Sequence, residues 1–197
     1  MNNMIAIAAF LSTILSIYCL FPYIVAILKN KTKPHRLSWL VFVIMNGIVL
    51  FSQYFEGARA SILITVSFFI GSVIIFILSL KYGVHDSSKW DRLLFVFAIS
   101  TMIIWYLTKS NATAIWLTLL IDVAATTMII LKVKADANSE DPAPWAIATV
   151  AYVFSCLTLV GQPVSILYVR PMYGLICDAV LVGYIYYQKN KVVRSAL

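Results

Sequence analysis

Polar and apolar positions along the chain fall into seven long apolar runs, separated by short charged or turn-forming breaks. The runs are Met4–Leu28, Leu37–Tyr54, Ser61–Leu80, Leu93–Leu107, Ala112–Leu131, Trp145–Val160 and Ile166–Gln188. They are continuous rather than alternating in and out, which predicts helices and not barrel strands. Most come close to the ~20 residues that a helix needs to cross a bilayer. The fourth and sixth runs are short, at 15 and 16 residues, and are expected to borrow turns from Lys89–Arg92 and Gly161–Val164. Met1-Asn2-Asn3 leads directly into the first run without the basic stretch of a cleaved leader, so that run reads as a retained helix.

Composition turns this pattern into a class. Of 197 residues, 62% are hydrophobic and 12% charged, whereas a soluble domain carries roughly 25% charge. A water-soluble enzyme and a disordered chain are both excluded, leaving an all-α membrane protein. The formal charge of +7 is unevenly placed. With seven spans, one side receives twelve basic residues, from Lys29, Lys31, Lys33 and Arg36 through to Lys189, Lys191 and Arg194; the other has only Arg59, Lys109 and Arg170. The positive-inside rule then puts the N-terminus outside and the C-terminus in the cytoplasm, as expected for a bacterial inner-membrane protein. Cys19, Cys156 and Cys177 lie inside spans with no CxxC spacing, so neither a disulfide framework, a metal site nor a cofactor is expected.

Seven is an odd number, which invites two three-helix units around one linker helix. A shift of 103 residues lays Ile27-Leu28-Lys29-x-Lys31 over Ile130-Leu131-Lys132-x-Lys134. A shift of 106 lays Trp39 over Trp145 and Ser72 over Asp178. The expected architecture is a 3+1+3 arrangement of two parallel three-helix bundles, residues 1–85 and 111–197, joined by a linker helix within 86–110.

Pro22 near the end of the first helix, Lys29-Asn30-Lys31-Thr32 after it, and Leu37-Ser38-Trp39 opening the second helix carry a resemblance. On these residues and the 3+1+3 layout the chain resembles the SWEET and PQ-loop transporter superfamily. It is also similar to a group of small bacterial membrane proteins with Lys-Pro-His-Arg-x-Ser-Trp after the first helix, here Lys33–Trp39, and with Lys-Tyr-Gly and then an aspartate before the fourth, here Lys81-Tyr82-Gly83 and Asp91. The chain departs from the superfamily in lacking a Pro-Gln dipeptide, and Ala125 stands where the second repeat should carry proline. The paired asparagines of sugar carriers are absent too, so the resemblance implies transport without implying sugar.

An ionisable residue inside a bilayer is costly and therefore a functional candidate. Asp122 and Asp178 sit halfway along the fifth and seventh runs. Thr118, Asp122 and Thr126 are spaced four apart and share one helix face. Asp178 shares a face with Pro171 and Gly174, whose missing side chains leave room for a substrate or another helix. Asn46 and Ser72 are the polar centres of the second and third helices. These six residues, Asp122, Asp178, Asn46, Ser72, Thr118 and Thr126, are the candidate substrate-binding set, with the aspartates taking a cation, a proton or a substrate amine. In the proton-coupled branch of PQ-loop proteins core acidic residues carry the proton, which is what the resemblance implies here. The alternative role for each aspartate is packing glue between helices. Pro22 and Pro171 are candidate hinges. Arg170, near the outer end of its helix, is expected to snorkel to the headgroups, with an outer gate or anion contact as the sharper alternative.

The function expected is transport of a small polar or cationic metabolite by alternating access, without enzymatic chemistry and with protons as a candidate coupling ion. A vitamin-precursor carrier of the nicotinamide riboside type shares the 3+1+3 layout and is the nearest rival within that class. A non-transporting sensor, receptor or assembly protein is the alternative outside it. An intramembrane aspartyl protease is disfavoured because Leu175-Ile176-Cys177 precedes Asp178 in place of Gly-x-Gly, and a retinal protein because Lys189 lies beyond the last helix. The expected partners are the substrate, membrane lipid and, as for many such proteins, a second copy; the basic loops are a topology signal and not a nucleic-acid site.

Overall fold

The computed structural model describes residues 2–29, 34, 36–83, 89–135, 137, 141–161 and 165–195. Seven α-helices follow one another among the described residues: α1 (Asn2–Leu28), α2 (Arg36–Phe55), α3 (Leu63–Tyr82), α4 (Lys89–Thr108), α5 (Asn111–Ala135), α6 (Pro142–Leu157) and α7 (Val169–Ser195). One-turn 3-10 helices, Ala60–Ile62 and Ile166–Tyr168, lead into α3 and α7. The chain is therefore all-helical, as the continuous apolar runs require.

Among the described residues, four stretches are long and apolar enough to cross a membrane: Asn3–Val25, Arg36–Phe55, Ala60–Tyr82 and Ile166–Val192. The remaining helices offer shorter apolar stretches, Arg92–Thr108, Asn111–Thr127 and Pro142–Leu157. Large apolar side chains are exposed along whole helix faces. Ile7, Phe10, Ile14, Ile17 and Phe21 form such a stripe on α1, and Leu93, Val96, Phe97 and Ile104 lie exposed along α4. Apolar exposure on this scale has no place in water and suits lipid.

The helix ends follow from local chemistry. Gly57 (φ +79°) closes α2 in a left-handed turn: its N–H donates to the Tyr54 carbonyl and the next N–H, of Ala58, to the Gln53 carbonyl. This is the Schellman pattern, and glycine takes that φ without strain. α4 does gain a turn at Lys89, as expected for a short run. α6 instead extends upstream, to Pro142, and stops at Leu157. Its Asp141 cap accepts a hydrogen bond from the Ala143 N–H at 3.0 Å, and Pro142 occupies the first turn, where its missing N–H removes no bond. Residues 158–161 form a turn ending at Gly161 (φ +80°), so the expected extension through Gly161 does not occur; Gln162–Val164 lie outside the described residues. Asp141→Ala should lower stability by ~1 kcal/mol, read as an earlier thermal unfolding midpoint in detergent.

Packing orders the helices. α3 lies against both α1 and α2, and α7 against both α5 and α6. Between these groups α1 packs on α6 and α2 on α5, while α4 rests on α2 and α5. Val41 and Met45 of α2, Ala98 of α4 and Ile121 of α5 form one buried cluster. Ile64 of α3 with Ala151 and Tyr152 of α6 forms a second, joined by Leu15, Phe68 and Leu175. Val133 of α5 with Leu181 and Ile185 of α7 forms a third. Three pairs of element starts share one spacing: Arg36 and Pro142, Ala60 and Ile166, and Leu63 and Val169 are each 106 residues apart.

Candidate functional site

The charged interior is built on α5 and α7. Arg170 Nη1 donates to Asp122 Oδ2 at 2.5 Å, with 11% and 20% of the two side chains exposed. Arg170 therefore turns inward to a carboxylate rather than snorkelling to headgroups. The physical reason is depth. Asp122 lies eleven residues into α5, whereas Arg170 is the second residue of α7. Their bond ties the first turn of α7 to the middle of α5. α6, which leads into α7, is short: its 16 residues span only ~24 Å at 1.5 Å per residue. The α6–α7 connection is pinned by Tyr168, whose hydroxyl donates to the Leu159 carbonyl.

Asp178 is half-buried two turns further along α7, within Coulombic range of both Asp122 and Arg170. It has no hydrogen bond or ion pair among the described residues. Two carboxylates thus face one guanidinium, and the group carries an uncompensated acid at Asp178. A charge left unpaired in a membrane interior must be met by a proton, a cation or water.

Tyr152 of α6 forms one wall. Its ring stacks on Phe68 of α3 with centroids 5.7 Å apart, and it lies within Coulombic range of Arg170, Asp178 and Asp122. The space that Gly174 leaves is filled by this ring: a Cβ on Gly174 would overlap it. The expected room beside Asp178 is thus occupied by a helix at that height. Cys19 of α1 lies within Coulombic range of Asp178, so α1, α5, α6 and α7 all contribute. Arg170 also sits over the Tyr173 ring, 5.9 Å from its centroid.

The remaining candidates are placed as follows. Asn46 is buried on α2, beside Met45, which packs against Ile121 of α5. Ser72 is buried on α3 with its hydroxyl donating to the Phe69 carbonyl at 2.8 Å. Thr118 is buried and donates likewise to Ile115, while Thr126 is half-buried. No hydrogen bond ties any of these four to the aspartates. Pro22 is exposed inside α1. Pro171 is buried in the first turn of α7, where a missing N–H breaks no helical bond, so it marks a helix start rather than a bend.

Among the described residues, the hydroxyls of Ser12, Ser52 and Ser155 and the side-chain amide of Gln53 are buried without a protein hydrogen-bond partner. At the end of the bundle that carries the α2–α3 and α6–α7 links, a cleft of about 550 Å³ is lined by Glu56, Arg59, Ser61, Thr158 and Ser165. Leu167, on the same cleft, is one turn above Arg170. Among the described residues no cluster of His, Cys, Asp and Glu could hold a metal ion. Comparison with known protein families, with characterised proteins and with solved structures finds no match.

Sequence reasoning found both aspartates and Arg170 but missed their pairing, and it missed Tyr152 and Tyr173. One signal was available for the pair. Arg170 is the one basic residue within the seven apolar runs, and an arginine in that position seeks an acidic partner.

Proposed function

We propose that this protein is a membrane transporter for a small polar or cationic metabolite, working by alternating access between two three-helix units. The observation that carries the reading is the uncompensated carboxylate of Asp178 beside the Asp122–Arg170 pair, inside a helical bundle. Asp178 takes the cationic solute or the proton, and the pair fixes α5 to α7 so that the second unit moves as one body. The outer cleft one turn above Arg170 supplies the approach.

The 3+1+3 organisation is part of this proposal. It is supported by the three element starts that recur at 106 residues and by the third helix of each unit lying between its first two. The contacts of α1 with α6 and of α2 with α5 exchange when the units are exchanged, as expected for parallel repeats about one axis. On this reading α4 to α6 cross as well, the twelve basic residues lie on the cytoplasmic side of a bacterial inner membrane, and the N-terminus lies outside. Kinship with the SWEET and PQ-loop superfamily fits the same layout.

A specific observation favours the competing reading of a non-transporting sensor or assembly protein: Ser72 and Thr118 donate their hydroxyls to carbonyls of their own helices. Uptake into liposomes separates the two. With a panel of organic cations, amino acids and vitamin precursors, wild type should accumulate at least one solute above empty liposomes. Asp178→Asn should reduce that rate by on the order of tenfold or more. Wild-type rates in the Asp178→Asn variant would remove this residue from the mechanism.

A further inference from the structure

A second cleft, of about 180 Å³, lies between α2, α4 and α5 and differs from the charged group in its apolar lining. Val41, Phe42 and Met45 line it from α2, Leu94 from α4, and Ala125 and Ile129 from α5, with Ser38 as its one polar contributor. A polar metabolite would lose hydration there without regaining hydrogen bonds, so this is not a second site for the transported solute.

The lining residues share one depth. Ser38 to Met45 fall in the first three turns of α2, Leu94 in the second turn of α4, and Ala125 and Ile129 in the last three turns of α5. They sit just inside the end of the bundle where these helices carry basic residues. Lys89 and Arg92 lie in the first turn of α4 and Lys134 in the last turn of α5; all three are exposed. Trp90 is exposed beside them, with Lys89 Nζ 5.3 Å from its ring centroid, the position of an interfacial aromatic. Exposed Leu93, Val96 and Phe97 continue down α4. An apolar slot at acyl-chain depth under a basic rim at headgroup depth is complementary to one molecule, a phospholipid with a negative headgroup.

We propose that this cleft holds an acyl chain of an anionic phospholipid whose phosphate lies against Lys89, Arg92 and Lys134. The bound lipid wedges α4 against α2 and α5. The inference rests on the membrane reading but not on transport, and its test needs no uptake.

Full-length protein is stripped of lipid in detergent and given phosphatidylglycerol or phosphatidylcholine of identical chains, and retained lipid is counted by native mass spectrometry. Phosphatidylglycerol should be held on the order of thirtyfold more strongly. The exposed double substitution Lys89→Gln/Arg92→Gln should remove most of that preference. Ala125→Phe, which fills the slot, should reduce retention of both lipids, and glycerol phosphate without chains should not compete. Equal retention of the two lipids overturns the proposal, as does full binding by Ala125→Phe or displacement by glycerol phosphate alone. Should Ala125→Phe fail to fold, the surface double variant decides: an unchanged preference refutes the assignment.

Discussion

Arg170→Met is expected to cost about 3–5 kcal/mol of stability, the largest effect of any single substitution in the charged interior. It leaves Asp122 without its cation and Asp178 within Coulombic range of it, so two carboxylates confront each other without compensation. Asp122→Asn should cost less, because the orphaned guanidinium still has Asp178 within range. The double variant Asp122→Asn/Arg170→Met removes both charges of the pair and should recover most of the loss, since a buried pair contributes little net stability over an apolar replacement. The order of unfolding midpoints in detergent is thus predicted: wild type and double variant highest, then Asp122→Asn, then Arg170→Met. Equal midpoints for all four would mean that the pair carries no structural weight.

Gly174→Ala should destabilise by about 1–3 kcal/mol, whereas Gly71→Ala should cost well under half as much. Both glycines lie where helices touch, and at both an added Cβ overlaps a neighbour. The neighbours differ. At Gly71 it is the terminal methyl of Leu20, which can rotate aside. At Gly174 it is the Tyr152 ring, which is also stacked on Phe68 of α3. A ring clamped between two helices yields only if the backbone moves. Thermal unfolding of the two alanine variants reads the difference directly, and Gly174→Ala combined with Tyr152→Ala should be less damaging than the sum of the two.

The helices were legible because a bilayer demands long unbroken apolar runs, and such runs have few alternative readings. α4 began where its short run said it must. α6 did not end where its run did, because Val160 is as apolar as any span residue while the turn before Gly161 is a matter of backbone conformation. The signal at its other end, Asp141 followed by Pro142, was readable as a cap. The aspartates were legible as expensive residues, but their partners were not. Pairing depends on where along each helix the two side chains meet, the first turn of α7 against the middle of α5, and no run of apolar residues encodes that. Tyr152 looked like one more membrane aromatic. Only the 106-residue spacing, which lays it over Asn46, marked it as a central position.

In a transporter of the proposed kind, Asp178 faces an aqueous path rather than lipid or sealed packing. The most direct measurement places a single cysteine there by Asp178→Cys, with Cys19, Cys156 and Cys177 replaced by alanine, in right-side-out and inverted membrane vesicles. A charged, membrane-impermeant methanethiosulfonate should modify this cysteine. Modification only by a lipid-soluble maleimide, with the charged reagent inert from both sides, would contradict it.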